Sequence, residues 1–485
     1  MTDQGNMQQD MSWQEPFLYQ AVERQVREMI ESGALKQGDK LPSLRAMRVR
    51  TGLSLSTVNQ AYVELETKGV IESRPRSGFF VRRIVRPMEL PLARAAEPVP
   101  RAVNRNQLIQ TVLEAVGSAE LAPLGVICPS KELMPTNLLS RYMSRVLRED
   151  AGRSMTYESI PGNAELRRQI AFRATDPDAG IRPDDLIITN GAMEALYISL
   201  RALTRAGDNV VIQSPTYYCF LQLLENMGLR AIELPNCPDS GVNPAHLAAA
   251  LNKYEVKACI FSPNYNNPDG SLTPDKTKHE IMAMLSQGDI PLVEDDVYTE
   301  LHFNGPRPGS YKALDRKGLV LLCSSFSKTV CPGWRIGWIA PGRFRDRVLE
   351  VKATTNVCTS TPAQLALAEF MAAGQYERQL KRLRTALEKQ MRLIRDQVAQ
   401  SFPAGTKVTA PKGGLALWVE LPGNADGVEL FYRAKEQGIG IAPGSIFTTQ
   451  RGFDSCIRLS CGGVWSENIR HGLEILGGLA GELAG

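Results

Sequence analysis

Histidine is scarce in this chain, with four among 485 residues (His246, His279, His302, His471), none near another and none in an H-E-x-x-H arrangement. That argues against a protein-built metal centre. The nine cysteines stand singly with no C-x-x-C pair, as expected of reduced thiols rather than of a disulfide framework or a zinc site. No apolar stretch reaches the ~20 residues that a membrane span needs. The polar start Met1–Asp10 has neither the basic region nor the apolar run of a secretory signal, so a cytoplasmic protein without membrane contact is expected. G-x-G-x-x-G and the P-loop are both missing, which leaves dinucleotide and ATP readings unsupported. The charge balance, 56 Lys and Arg against 52 Asp and Glu, is too even to name a partner by itself. The length predicts two or three domains.

The first folded segment is expected over residues 15–83. Leu18, Val22, Val26 and Ile30 recur at helical spacing before Gly33. Pro42-Ser43 opens a short helix through Leu44, Met47 and Val49 that breaks at Gly52. A third helix begins near Ser54, turns Val58, Tyr62 and Leu65 inward, and ends at Gly69. Val70-Ile71, a turn at Arg74-Pro75-Arg76-Ser77-Gly78 and the strand Phe79-Phe80-Val81 complete a winged helix-turn-helix. Between Phe17 and Arg86 there are thirteen basic residues against seven acidic ones, the excess falling on the second helix and the wing. Such a footprint suits a duplex. Ser54, Ser56, Thr57, Asn59 and Gln60 open the third helix with short hydrogen-bonding groups suited to phosphates and base edges.

The strings Gly38-Asp39-Lys40-Leu41-Pro42-Ser43-Leu44-Arg45, Leu53-Ser54-Leu55-Ser56-Thr57-Val58-Asn59-Gln60-Ala61-Tyr62 and Ser77-Gly78-Phe79-Phe80-Val81 resemble the DNA-binding domain of GntR-type bacterial regulators along its whole length. The resemblance implies that Arg45, Ser54, Ser56, Thr57 and Gly78 contact double-stranded operator DNA; Asn59 and Arg76 join them as candidates from their positions on the third helix and the wing. Members often carry arginine where this chain has Leu55, so operator preference does not carry over. Residues 84–106, spaced by Pro87, Pro91, Pro98 and Pro100, read as a semi-extended linker.

From residue 107 to 485 helical stretches alternate with short apolar strands, among them Leu186-Ile187-Ile188, Val210-Val211-Ile212, Ala258-Cys259-Ile260-Phe261, Pro291-Leu292-Val293 and Leu319-Val320-Leu321-Leu322. The expected fold class is α/β, a mostly parallel sheet with helices on both faces. Polar residues collect where such sheets place ligands, at strand ends. Lys328 follows Ser325-Phe326-Ser327, seven residues before Arg335. A lysine in a tight loop beside an arginine favours the neutral amine that attacks an aldehyde. Asp295 and Tyr298, three residues apart, can converge on one ring, the carboxylate keeping a pyridine nitrogen protonated. Asn267 can reach a ring hydroxyl, Tyr217 can cover a ring face, and Gly191-Ala192 opens a helix whose free amides favour a phosphate.

In this order and spacing, from about Leu124 to Leu459, the set resembles the class I aminotransferases of pyridoxal phosphate fold type I, which also carry a smaller α+β part. The resemblance implies that Lys328 forms the Schiff base, the catalytic role, and that Asp295 pairs with the pyridine nitrogen. Asn267 and Tyr298 then bond the ring oxygen and Tyr217 stacks on the ring, while Gly191, Ala192, Ser325 and Arg335 hold the phosphate. Tyr157 matches a tyrosine that reaches the neighbouring subunit's phosphate, implying a homodimer, and Arg458 matches the arginine that clamps a substrate α-carboxylate. A GntR-type head joined to such a body looks like the MocR subfamily. That implies a regulator that senses an amino acid or amine by Schiff-base exchange on Lys328, with latent transaminase chemistry. The alternative expectation is a working aminotransferase with a secondary DNA-binding domain.

Overall fold

The computed structural model describes residues 18–74, 77–82, 88–91, 93–94, 98–102, 109, 112, 122–173, 180–423 and 425–485. The chain separates into two compact units, residues 1–86 and 87–485.

In the first unit, α1 (Leu18–Glu31), α2 (Leu44–Thr51) and α3 (Leu55–Thr67) precede a hairpin of β1 (Ile71–Arg74) and β2 (Gly78–Val81). Val22 and Val26, one turn apart on α1, pack with Met47 of α2 and with Val58, Ala61, Tyr62 and Leu65 of α3 in a core that Ile71 and Val81 close. Each short helix has its start and stop in the sequence. Ser43 accepts from the Ala46 amide at 3.2 Å and Gly52 ends α2 at φ 70°, while Ser54 caps α3 through the Thr57 amide at 3.1 Å. Of the residues read on the second helix, Met47 makes the core contact and Val49 is 84% exposed. The wing pairs Ile71 with Val81 through Arg74 with Gly78. Gly78 sits at φ 99°, a conformation that side-chain-bearing residues rarely adopt.

The second unit is built on a nine-stranded sheet. Its strands are β3 (Arg101–Ala102), β4 (Ile187–Thr189), β5 (Asn209–Ser214), β6 (Arg230–Cys237), β7 (Gly241–Val242), β8 (Val256–Phe261), β9 (Leu292–Asp295), β10 (Val320–Ser325) and β11 (Gly337–Ala340). The order is β3-β6-β5-β8-β9-β10-β11-β4, with β7 on β6. Strands β6, β5, β8, β9 and β10 are mutually parallel, and β11 runs antiparallel between β10 and β4. Alternate residues serve opposite faces: Val210 and Ile212 pack on the layer containing Leu196 and Leu200, while Val211 packs with Leu247, Ile281 and Leu285. Burial of both faces explains the uninterrupted apolar runs. A second, antiparallel sheet in the order β12-β13-β15-β14 follows, formed by β12 (Lys407–Val408), β13 (Ala416–Glu420), β14 (Ala442–Pro443) and β15 (Cys456–Ser460).

Within the segment read as a linker, the described residues are tied to the second unit. Arg101 and Ala102 pair with Ala231 and Arg230 at the sheet edge, the Glu89 carbonyl accepts from Val408 N at 2.9 Å, and Arg94 pairs with Glu420 at 3.0 Å. Proline spacing conceals this, because an edge strand two residues long has no period to read. Among the described residues, no helix is long and apolar enough to cross a membrane.

Candidate functional site

Strand register collects the candidate residues on one edge of the large sheet. β4, β5, β8, β9 and β10 all end there, and the antiparallel β11 begins there, with Ser325 paired to Gly337 and Gly337 to Thr189. The loop carrying Lys328, the residue Arg335 just before β11, and Gly191 just after β4 are neighbours for that reason. Asp295 closes β9, Tyr217 lies three residues beyond β5, and Asn267 lies in the turn after β8.

Lys328 donates from Nζ to the Ile127 carbonyl at 2.6 Å. Burial lowers its pKa; Cys128 opposes this, and Arg458 and Arg335 push the same way as burial. The Asp295 carboxylate accepts from Ser262 Oγ at 3.3 Å through Oδ2. Its Oδ1 is buried with no hydrogen-bond partner among the described residues. Burial first, and then the neighbouring Asp296, push this carboxyl up to about 7. Asp296 is itself held by Arg307 at 3.3 Å. Tyr298 is buried beside Asp295, and burial and that carboxylate both raise its phenol. Tyr217 is half-buried, its ring 4.8 Å from that of Tyr218.

Gly191 caps the helix Ala192–Leu203 without a side-chain bond, so the first amides of that helix, Ala192 among them, remain available. A Cβ at Gly191, whose φ is 77°, would collide with the Arg335 guanidinium, with Cζ only 3.0 Å away. The guanidinium bonds Ser327 Oγ and the carbonyls of Pro332 and Asn190, each at 3.3 Å. Ser325 Oγ accepts from the Ser327 amide at 3.4 Å. The nearby carboxylate of Glu194 accepts from the Asn190 amide and is paired with buried Lys352 at 3.2 Å, so its charge is balanced within the fold.

Arg458 comes from β15, opposite Trp418 and Ala442. It is buried, donates to Asn267 Oδ1 at 3.0 Å and to the Gly125 carbonyl, and lies 5.1 Å from the Phe447 ring centroid. Its Nε has no partner among the described residues. Tyr157 is 87% exposed and is not among the side chains gathered at this edge. The carbonyls of Gly125 and Ile127, the Ser262 hydroxyl, and Cys219, whose thiol burial pushes up to about 11 beside Tyr217, belong to the same surroundings. The sequence held no signal for them, since two are backbone atoms, Ser262 lies in an unmarked loop just after β8 and Cys219 is one position in the helix Tyr218–Asn226.

In the first unit, Arg45, Ser54, Ser56, Asn59 and Gly78 are exposed and Thr57 is half-exposed. The three hydroxyls are less free than expected: Ser54 Oγ lies 2.7 Å from Ser56 Oγ and 2.8 Å from Thr57 Oγ1. Leu55 stands exposed among them. Arg74 is forked onto Glu72 at 2.9 and 2.8 Å and lies 4.2 Å over the Phe80 ring, while Arg76 lies outside the described residues.

An antiparallel strand inserted into a parallel sheet, with a lysine loop and a buried strand-end carboxylate on one edge, defines the pyridoxal phosphate fold type I class. The aminotransferase class I and II family matches residues 131–476, and the bacterial regulatory proteins of the gntR family match residues 18–81. The HTH-type transcriptional regulator YjiR of Escherichia coli (strain K12) is 36% identical over 95% of this chain and 98% of its own length. YdcR of the same organism is 37% identical over 96% and 99%. Among solved structures, the α-aminoadipate aminotransferase of Thermus thermophilus, complexed with N-(5'-phosphopyridoxyl)-L-leucine, is 26% identical with a TM-score of 0.72, covering 78% of this chain and 95% of that one. The chain belongs to the HTH-type transcriptional regulators of MocR-type architecture, in which a GntR DNA-binding domain is fused to a pyridoxal phosphate-dependent class I and II aminotransferase domain.

The residues present fit that cofactor. The orphaned Asp295 Oδ1 suits a protonated ring nitrogen, and the missing Cβ at Gly191 lets the Arg335 guanidinium stand beside the start of the helix Ala192–Leu203, whose first amides are open. Two consequences are measurable. Because burial and Asp296 outweigh the hydrogen bonds it receives, Asp295 binds its proton more tightly folded than unfolded, so its contribution to stability is full below about pH 4 and is lost as pH rises through about 7. That interval corresponds to ~4 kcal/mol at most. Asp295→Asn is therefore expected to flatten the fall in the thermal midpoint of cofactor-free protein between about pH 4 and pH 7, as followed by calorimetry. Gly191→Ala is expected to raise the dissociation constant for pyridoxal phosphate about tenfold or more, because its Cβ takes the place of the Arg335 guanidinium and the backbone there, φ 77° and ψ 177°, is essentially glycine's own. Equilibrium dialysis against the cofactor checks this.

Proposed function

We propose that this protein is a cytoplasmic transcription regulator whose affinity for operator DNA is set by an amino acid or amine captured at Lys328. The observation that carries the reading is an exposed recognition surface, Arg45 with the amino-terminal turn of α3, in the same chain as an assembled cofactor edge. In this reading the head spans residues 15–83 and the body 107–485, and Arg45, Ser54, Ser56, Thr57, Asn59, Arg76 and Gly78 face DNA. Bound pyridoxal phosphate supplies an aldehyde that condenses with primary amines and a ring that withdraws electrons from them. Lys328 anchors it, and Asp295 holds the proton on the ring nitrogen. Asn267 and Tyr298 orient the ring oxygen, Tyr217 covers the ring face, and Gly191, Ala192, Ser325 and Arg335 bind the phosphate. Tyr157, exposed in one chain, completes the phosphate site of a second subunit, so the working form is a homodimer.

Arg458 receives the carboxylate of an incoming amino acid, with Nε free and two neutral partners to exchange. Because Asn267 bonds Arg458, arrival of a carboxylate is felt at the ring. A conformational response then shifts the DNA-binding equilibrium by the difference in effector affinity between the two states. The phosphopyridoxyl-leucine held by the Thermus relative supports an amino acid as the class of effector. Selection of bound duplexes from a random pool tests the DNA arm: a shared sequence motif is expected, and no enrichment with or without pyridoxal phosphate contradicts it. A second reading, an active aminotransferase, is favoured by the intact proton-handling set. Many turnovers with an amino donor and a keto acid would establish it.

A further inference from the structure

A basic surface lies on the second unit, outside the cofactor edge. The helix Thr136–Glu149 buries Leu139 and Val146 and turns Arg141, Arg145 and Arg148 to solvent at i, i+4 and i+7. Arg141 lines two open hollows of about 460 and 590 Å³. The first is shared with Lys131, Arg378 and Arg382 and the second with Arg145 and Arg148. One acidic residue, Glu132, lines the first hollow and none lines the second.

Surface arginines on a helix ordinarily alternate with carboxylates at i+4, and like charges at that spacing work against the helix. This helix has no acidic residue before Glu149. Among the described residues Arg145 has a carboxylate partner, Glu369 at 3.7 Å, whereas Lys131, Arg141, Arg148, Arg378 and Arg382 have no ion pair. Arg382 is steadied instead by the Leu133 carbonyl at 2.8 Å and Gln379 Oε1 at 2.9 Å, contacts that orient a guanidinium without neutralising it. From Arg141 to Arg148 the helix rises about 10 Å, enough to pass about three phosphates of one DNA strand.

We infer that the surface formed by Lys131, Arg141, Arg145, Arg148, Arg378 and Arg382 is a second DNA-backbone contact, engaging phosphates of the duplex that flanks the segment held by the GntR domain. The inference rests on the DNA-binding reading above. Duplex DNA is favoured over other polyanions because the GntR domain in the same chain brings it to a high effective concentration. The contact carries no sequence information. It adds affinity and salt dependence, and only where flanking DNA is present.

The test uses the full-length, pyridoxal phosphate-loaded protein and the triple variant Arg141→Gln/Arg148→Gln/Arg378→Gln. Fluorescence anisotropy at several salt concentrations is run on a selected operator of about 20 base pairs and on the same operator extended to about 60. Retention of the cofactor's visible absorbance shows that the variant folds. On the long duplex the variant is expected to lose about 0.9 from the salt slope per contact, about 2.7 for three, and on the order of a hundredfold in affinity at about 0.1 M salt, with the short duplex unaffected. Equal losses on both duplexes would reduce the patch to a general field, and no loss on either would make it a solvated face; each overturns the inference and leaves the DNA-binding reading intact. Failure of the wild type to bind even the short operator would overturn both.

Discussion

Lys328→Ala is expected to abolish the visible absorbance of the bound cofactor and every response of DNA binding to an amino compound, while operator binding without effector remains measurable. The expectation follows from where the side chain sits. Its amine stands on the sheet edge, held 2.6 Å from the Ile127 carbonyl and pushed toward its neutral form by burial and two arginines. In the proposed reading Asp295, Asn267, Arg335 and Gly191 would bind other parts of the cofactor, and they survive the substitution, so weak residual binding of pyridoxal phosphate is expected without its characteristic band. The GntR domain closes a hydrophobic core of its own, so its fold does not depend on this lysine and basal DNA binding is retained. Absorbance spectroscopy and anisotropy on the same sample check both halves. An effector response that persists in Lys328→Ala refutes a sensing role for this lysine.

Arg458→Gln is expected to raise the concentration of an amino-acid effector needed for half response by about 10- to 150-fold. A charge-assisted hydrogen bond contributes ~1.5–3 kcal/mol, and each ~1.4 kcal/mol is a factor of ten. Glutamine retains one donor arm but neither the charge nor the fork. The wild-type guanidinium already bonds Asn267 Oδ1 and the Gly125 carbonyl, so a carboxylate exchanges for neutral acceptors and gains the unpartnered Nε. A primary amine without a carboxylate should be affected little. Comparing an amino acid with its decarboxylated counterpart therefore isolates the role of Arg458, and equal losses for the two would show that the substitution had disturbed the site as a whole.

Much of this was legible in the sequence because it depends on local pattern. α1 to α3 follow from apolar spacing and from Ser43, Gly52 and Ser54 at their ends, and the strands of the large sheet from apolar runs buried on both faces. The residues that meet at the edge could be named because strand ends in such sheets share one side. What stayed hidden depends on contacts between distant parts of the chain. The carbonyls of Gly125 and Ile127 carry no side-chain mark, and the orphaned oxygen of Asp295 is a property of its burial. The two-residue strand at Arg101 exists only through its pairing with β6. Ser54, Ser56 and Thr57 read as free hydroxyls in one dimension, yet the capping geometry of α3 turns them toward one another. Tyr157 is the opposite case, named from its motif while one chain shows it only as exposed.

In the proposed regulator the cofactor edge and the DNA-binding surface are thermodynamically coupled, and coupling between two binding sites is reciprocal. The most direct measurement takes the pyridoxal phosphate-loaded protein and the amino compound that perturbs its absorbance most. Effector affinity is read from that absorbance with and without saturating operator, and operator affinity is read from anisotropy with and without saturating effector. Both affinities are expected to change, and by the same factor. An absorbance titration that proceeds normally while operator affinity stays constant would show a working cofactor site with no line to the DNA, and would contradict the coupling.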